Sequence, residues 1–230
     1  MGDANELRDQ AITADIREML GRDAKLADLE ACIDIIVRGG VAHLLAPPLP
    51  ADVVDDLRAV VGRVRGVHAV WLRSSSPGFR CLDIGCGGAK QVEASIGIDL
   101  AHAPAADILA DLDRGLPFAD ASIDCVFAVH VLEHVRDVVA LMNDLHRVLK
   151  PGGSLHLMVP FAQHVNAIAD PTHVRFFHPQ TFKHFCRPSP KQRTWYPELV
   201  SCDGASVFAD LRPLPPGEAP PDEQLARFFD

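Results

Sequence analysis

The stretch LDIGCGG at residues 82–88 is followed, after only seven residues, by IGID at residues 96–99. The first piece has the apolar run of a buried strand opening into a glycine turn. The second has the form of another buried strand that ends in an acid. Two strand ends this close leave almost no room for a helix between them. In a parallel α/β sheet, ligands sit at the carboxyl ends of the strands, where glycine lets the main chain approach closely. Gly85 and Gly87 are therefore placed to frame a ligand, and Asp99 to accept hydrogen bonds from a ribose diol.

The flanking sequence extends the pattern. RCLDIG, SIGIDL and IDCVFAVHV predict strands, VRDVVALMNDLHRVL a helix, KPGG a turn and SLHLMVP a further strand. Buried strands joined by helices indicate a parallel α/β sheet. YPELVSCDGASVFADLRPL adds two antiparallel strands around Asp203-Gly204. A glycine turn with a strand-end acid suits NAD and S-adenosylmethionine alike. An NAD site, however, wants a third glycine and a helix that receives the pyrophosphate, and neither is present here. Further along, ADLDRGLPF places Asp111-Leu112 to meet an adenine edge and face. LPFADASIDCV forms the loop before the next strand, and HVLEH at residues 130–134 and LHRVLKPGG follow it.

Together these segments closely resemble the class I S-adenosylmethionine-dependent methyltransferases (type 11-like), from Cys81 to about Pro160. The resemblance implies an α/β fold with a Rossmann-like seven-stranded sheet. The short AKQVEAS passes almost directly to the next strand, as in a subgroup with a shortened first crossover. The implied cofactor is S-adenosylmethionine, with binding residues Asp83, Gly85, Cys86, Gly87, Asp99, Asp111, Leu112 and His130. Asp83 is expected to order the glycine loop and help hold the methionine amino group. His130 is expected to face the cofactor or the substrate, and Glu133 and His134 to begin the next helix in a structural or catalytic role.

Beyond the strand ending in VP, Asp170-Pro-Thr-His-Val-Arg-Phe-Phe177 resembles the DPTH segment of the same subgroup, which implies a substrate lid over the methyl-donor pocket. With His130, the stretch PFAQHVNAIADPTHVRFFHPQTFKHF that contains it offers His164 and His173 as general bases, Asp170 to orient a histidine, and Arg175 to hold an anion. The structural alternatives are an Asx turn at Asp170, a clamp at Arg175 and simple exposure at His178 and His184. His164, Asp170 and His173 match no zinc spacing, so no metal is expected.

Upstream, the chain has a different character. Ile12, Ile16, Met19 and Leu20 recur at helical spacing, CIDIIV-RGG-VAHLLA reads as a hairpin around Gly39-Gly40, and LPADVVDDLRAVVGRV and GVHAVWL read as a helix and a strand. This order resembles the BON domain, a small α+β module, although LLAPPLP stands where that family has a glycine. The resemblance implies a protein or lipid partner for residues 5–73, and this module is a candidate to cover the face of the sheet left bare by the short crossover. SSSPG marks a linker at 74–79, the methyltransferase domain runs over 80–213, and PPGEAPPDEQ predicts a proline-rich flexible tail over 214–230.

Composition narrows the classes. A net charge of −9 argues against nucleic-acid binding, which depends on basic surface. No apolar run is long enough to span a bilayer, and the polar opening MGDANELRDQ predicts no signal peptide, so a cytoplasmic protein with unpaired thiols is expected. The expected activity is methyl transfer to an O, N or S nucleophile of a small molecule. The run from Pro171 to Pro197, with five basic residues and no acid, favours an anionic acceptor. No NPPY-like segment follows HVLEH and no Pro-Cys pair occurs, which argues against methylation of DNA bases or glutamine. The alternative is a non-catalytic S-adenosylmethionine-binding or scaffold protein recruited through residues 5–73.

Overall fold

The computed structural model describes residues 2–230, with side chains from residue 5 onward. The chain forms two compact units, Met1–Phe79 and Arg80–Asp230.

The first unit contains helices α1 (Gly2–Arg22) and α2 (Ala27–Glu30), strands β1 (Asp34–Arg38) and β2 (Val41–Ala46), helix α3 (Ala51–Val61) and strand β3 (Ala69–Ser74). β1 and β2 are the expected hairpin, and β3 joins β2 in parallel to give the order β1-β2-β3. Gly39 and Gly40 both take positive φ, which the tight hairpin turn demands. Their amides are held by Asp9 of α1, at 2.8 and 3.4 Å. β1 alternates strictly, burying Ile35 and Val37 and exposing its other residues. Those two pack with Ile12, Ile16 and Leu20 of α1 and with Leu57 and Val61 of α3 in one core.

The second unit is a seven-stranded mixed sheet. In chain order it comprises β4 (Cys81–Ile84), β5 (Ile96–Asp99), β6 (Ile108–Leu109), β7 (Ile123–Val129), helix α4 (Val138–Val148), β8 (Leu149–Pro160), helices α5 (Val165–Ala169) and α6 (Pro179–Phe185), β9 (Trp195–Cys202), β10 (Ser206–Pro213) and helix α7 (Asp222–Phe229). The spatial order is β6-β5-β4-β7-β8-β10-β9, parallel from β6 to β8 and antiparallel around β10, a Rossmann-like arrangement. β4 is buried on both faces, which explains its unbroken apolar run. No helix separates β4 from β5. The link is braced instead by Lys90, whose ammonium meets Asp107 at 2.5 Å, while the same Asp107 oxygen accepts the Gly97 amide at 2.8 Å.

The full βαβ crossover is β7-α4-β8. Asp137 caps α4 by accepting the Ala140 amide, and Leu141, Met142, Leu145 and Val148 bury one face of the helix. Beside it, Arg147 spans Asp144, Asp120 and the carbonyls of Phe118 and Leu116, fixing the loop that enters β7. At the antiparallel edge, His156 and Asp210 stand opposite one another, both buried, with Nδ1 and Oδ1 2.8 Å apart.

Several local expectations are corrected. KPGG is not a turn before a strand but part of β8, where the register shifts against β7. Glu133 and His134 do not begin α4. They belong to a separate 3₁₀ turn, Leu132–His134. The tail is not flexible throughout, because α7 buries Leu225 and Phe229, and Lys183 of α6 pairs with Asp230 at 2.6 Å. Proline-rich composition predicts a lack of local order, but it says nothing of the eight-residue amphipathic helix that follows. α6 was not anticipated. His178, expected merely to be exposed, caps it by accepting the Gln180 amide. No helix is long and apolar enough to cross a membrane among the described residues, and no disulfide occurs among them.

Candidate active site

The carboxyl ends of β4, β5 and β7 open onto one pocket of about 320 Å³. It is lined by Gly85, Asp99, Leu100, Asp111, Leu112, Asp113, His130, Val131, His134 and Val135. A larger hollow of about 620 Å³ runs past His146, Arg193 and Pro215 and shares no lining residue with the first. It contains none of the strand-end chemistry. Function in open α/β sheets belongs to the strand ends.

The pocket floor begins at Gly85, where φ is +65° and a side chain would have its Cβ 2.5 Å from Val131 Cγ2. Only glycine fits there. Its amide donates to the Ile98 carbonyl at 2.7 Å, so β4 and β5 end in register. The Asp99 carboxylate is fixed by two main-chain donors, with Oδ2 accepting Gly87 N–H at 2.9 Å and Oδ1 accepting Ala101 N–H at 3.2 Å. Each oxygen keeps a lone pair for a pocket ligand. Asp111 is half-exposed and caps the 3₁₀ turn Leu112–Arg114 by accepting the Asp113 amide. Asp113 in turn accepts the amides of Arg136 and Asp137 at 3.0 and 3.2 Å, which ties the far wall to the start of α4.

Three of the expected cofactor residues sit beneath the pocket and do not line it. Asp83 is buried and accepts the Gln91 amide, so it orders the glycine loop as expected of a strand-end acid. Burial pushes its carboxyl up to about 6, with the Gln91 donor and the Lys90 charge pulling back. Gly87 acts through its amide on Asp99. Cys86 turns onto β5, its Sγ 2.9 Å from where a Cβ on Gly97 would stand. Burial, with the charges of Asp83 and Asp99, raises its pKa and keeps it a thiol.

His130 ends β7 in a left-handed conformation with φ +53°, which is costly for a non-glycine residue and turns the chain across the pocket mouth. Its Nδ1 lies 3.3 Å from Glu133 Oε1. Glu133 is 1% exposed, and its Oε2 has no hydrogen-bond partner among the described residues. The Glu133 carbonyl receives the amides of Val174 and Arg175 at 2.8 and 3.2 Å, which docks the DPTH segment against the 3₁₀ turn.

Within that segment the expected roles divide. Arg175 is a clamp and not a free anion site, because its guanidinium donates to the carbonyls of Val135 and Arg136. Asp170 makes the Asx turn, accepting Thr172 N–H at 2.8 Å and its hydroxyl at 2.6 Å, and these bonds hold its pKa low. His164 caps α5. His173 donates from Nδ1 to the Ala167 carbonyl at 2.9 Å and stacks edge-on to His134, with ring centres 4.8 Å apart. Of the basic run, Lys183 is paired with Asp230, and Arg193 lies at the other hollow.

The pocket therefore joins Gly85, Asp99, Asp111, Leu112 and His130 as the sequence suggested. It adds Leu100, Asp113, Val131, His134 and Val135, for which the strand ends and the HVLEHV run were the only signal. Three aspartates line it, and no helix follows β4. A pyrophosphate would meet negative charge with no helix dipole to offset it. Three aspartates beside Leu100, Leu112, Val131 and Val135 suit a cationic ligand with an apolar portion better than an anionic one.

Residues 82–157 match the family of methyltransferase domains (Methyltransf_11). Over that third of the chain the second unit is similar to a methyltransferase domain. Among curated relatives, an uncharacterized 37.1 kDa protein in transposon TN4556 of Streptomyces fradiae is 34% identical over 140 residues, half of this chain and 40% of its own length. A ubiquinone biosynthesis O-methyltransferase of Rhizobium johnstonii is 34% identical over 96 residues, 33% of this chain and 39% of its own. The chain thus spans about two fifths of either relative. A solved S-adenosylmethionine-dependent methyltransferase from Mesorhizobium loti is similar at 19% identity and a TM-score of 0.44, over 59% of this chain and 91% of that one.

Proposed function

We propose that the protein transfers the methyl group of S-adenosylmethionine to an O, N or S nucleophile of a small molecule. The observation that carries this is the Asp99 carboxylate, held by two main-chain amides and open to a pocket walled by Leu100, Leu112, Val131 and Val135. Asp99 would take the ribose diol, the apolar walls the adenine, and the acidic lining the positive charge of the sulfonium. Asp83, buried below the loop, would order it around the cofactor. Bound there, the cofactor supplies an electrophilic methyl group.

The chain's own contribution is then positioning: an acceptor held in line beside His130, with water excluded by the DPTH lid. Val165, Ile168, Val174 and Phe176 are exposed large apolar side chains on α5 and the lid, which favours an acceptor with an apolar portion. Residues 5–73 act, on this proposal, as a BON-like module that binds a protein or lipid partner.

Calorimetric titration of the full chain with S-adenosylmethionine and, separately, NAD tests the site. Micromolar binding of the methyl donor alone is expected, and a preference for NAD overturns the proposal. Donor binding without turnover across a broad acceptor screen would leave a cofactor-binding scaffold.

A further inference from the structure

We propose that Glu133, His134 and His173 form a binding site for a divalent ion of the zinc class at the mouth of this pocket. One ligating atom from each lies within 4.8 Å of the others. Tetrahedral coordination at zinc distances places ligand atoms about 3.4 Å apart, so closure around an ion needs shifts of under about 1 Å. Such a set was not visible in the spacing of His164, Asp170 and His173, because two of the three ligands precede the lid by some forty residues.

Three independent features prepare the site. First, Glu133 presents a buried carboxylate oxygen with no hydrogen-bond donor, an atom that a bound cation would satisfy. Second, both histidines are anchored through Nδ1. A carbonyl only accepts, so the contact of His173 Nδ1 with the Ala167 carbonyl puts a proton on Nδ1, and Nε2, 3.9 Å from Asp170 Oδ2, is the nitrogen left to ligate. His134 Nδ1 faces the Thr172 carbonyl at 3.3 Å and the Thr172 hydroxyl at 3.0 Å, whose own proton goes to Asp170 at 2.6 Å. Nδ1 of His134 therefore also donates. Imidazoles bound through one nitrogen and anchored to a carbonyl through the other are the usual supports of a metal centre. Third, the lid is tied to the 3₁₀ turn through the Val174 and Arg175 amides on the Glu133 carbonyl, and the Arg175 guanidinium holds the Val135 carbonyl just beyond it.

Three protein ligands leave a coordination position open, the arrangement of sites that hold a reacting group. His134 lines the pocket as well as the cluster. The open position would face an acceptor heteroatom and favour its deprotonated, nucleophilic form at neutral pH. This last role rests on the proposed methyltransferase function, but occupancy of the site does not.

The test is titration of untagged, chelator-stripped full chain with Zn²⁺ by calorimetry, and with Co²⁺ by visible absorption. Wild type should bind one equivalent, with a cobalt spectrum of imidazole and carboxylate ligands. His173→Ala and Glu133→Gln should each weaken binding by about 100-fold or more, and His164→Ala should leave it unchanged. Absence of binding to wild type, or equal binding by His173→Ala, overturns the site. Should Glu133→Gln fail to fold, His173→Ala and the wild-type cobalt spectrum still decide. S-adenosylmethionine is titrated into the same stripped protein. Donor binding without metal binding sinks only this site, and metal binding without donor binding sinks only the proposed function.

Discussion

Replacing Asp99 with asparagine probes the cofactor site with the least disturbance of shape. In the wild type both carboxylate oxygens are anchored, one by Gly87 N–H at 2.9 Å and the other by Ala101 N–H at 3.2 Å. On the proposed placement, a ribose diol would donate two further hydrogen bonds to the remaining lone pairs. Bonds to a charged acceptor contribute about 1.5–3 kcal/mol each. In Asp99→Asn one oxygen becomes an NH₂ group that can accept neither the main-chain amide beside it nor a ribose hydroxyl. One ribose bond is lost, the other loses its charge, and one loop amide faces another donor. The combined cost is about 3–5 kcal/mol, which corresponds to a rise in Kd of roughly two to three and a half decades. Calorimetric titration with S-adenosylmethionine, alongside thermal unfolding followed by circular dichroism, separates affinity from folding. A folded Asp99→Asn variant whose Kd stays within threefold of wild type would refute the placement of the ribose.

Burial sets the Asp83 carboxyl at about 6, above its ordinary 3.8. Between about pH 4 and 6 the native state therefore holds a proton that the unfolded chain has lost, and stability falls as pH rises through that window, by about 3 kcal/mol in all. Asp83→Asn should remove this loss, so that urea unfolding finds it close to wild type at pH 4 and more stable at pH 7; a difference that ignores pH would count against it. Gly85→Ala combines a positive φ with a Cβ 2.5 Å from Val131, and a loss of about 2–4 kcal/mol is expected in thermal unfolding, partly recovered by Val131→Ala. Phe229→Ala should cost about 3 kcal/mol in urea unfolding, since its ring is 5% exposed and α7 packs on α6; a null effect would mean that α7 is not docked.

What was legible in the sequence lies in short windows. The glycine turn at Gly85–Gly87, the acid at Asp99 and the hairpin at Gly39-Gly40 each depend on φ sterics or on period-two alternation, which a few adjacent residues determine. The main strands followed from the succession of apolar runs, though their spatial order did not, and the pocket inherited Asp99, Asp111 and His130 because strand ends in a parallel sheet converge. The identity of the chain's small clamps did not follow in the same way. Arg175 carries the charge of an anion site, and only the proximity of the Val135 and Arg136 carbonyls makes it a strut.

By itself, then, the sequence indicated most strands of the sheet and placed a glycine turn and an acid at the ends of β4 and β5, because those outcomes are local. Tertiary structure alone decided that Glu133 loses its solvent, that His173 comes within 4.8 Å of it from forty residues away, and that Phe229 finds a core. Burial and long-range approach depend on how elements pack, and residue spacing along the chain carries no record of that packing.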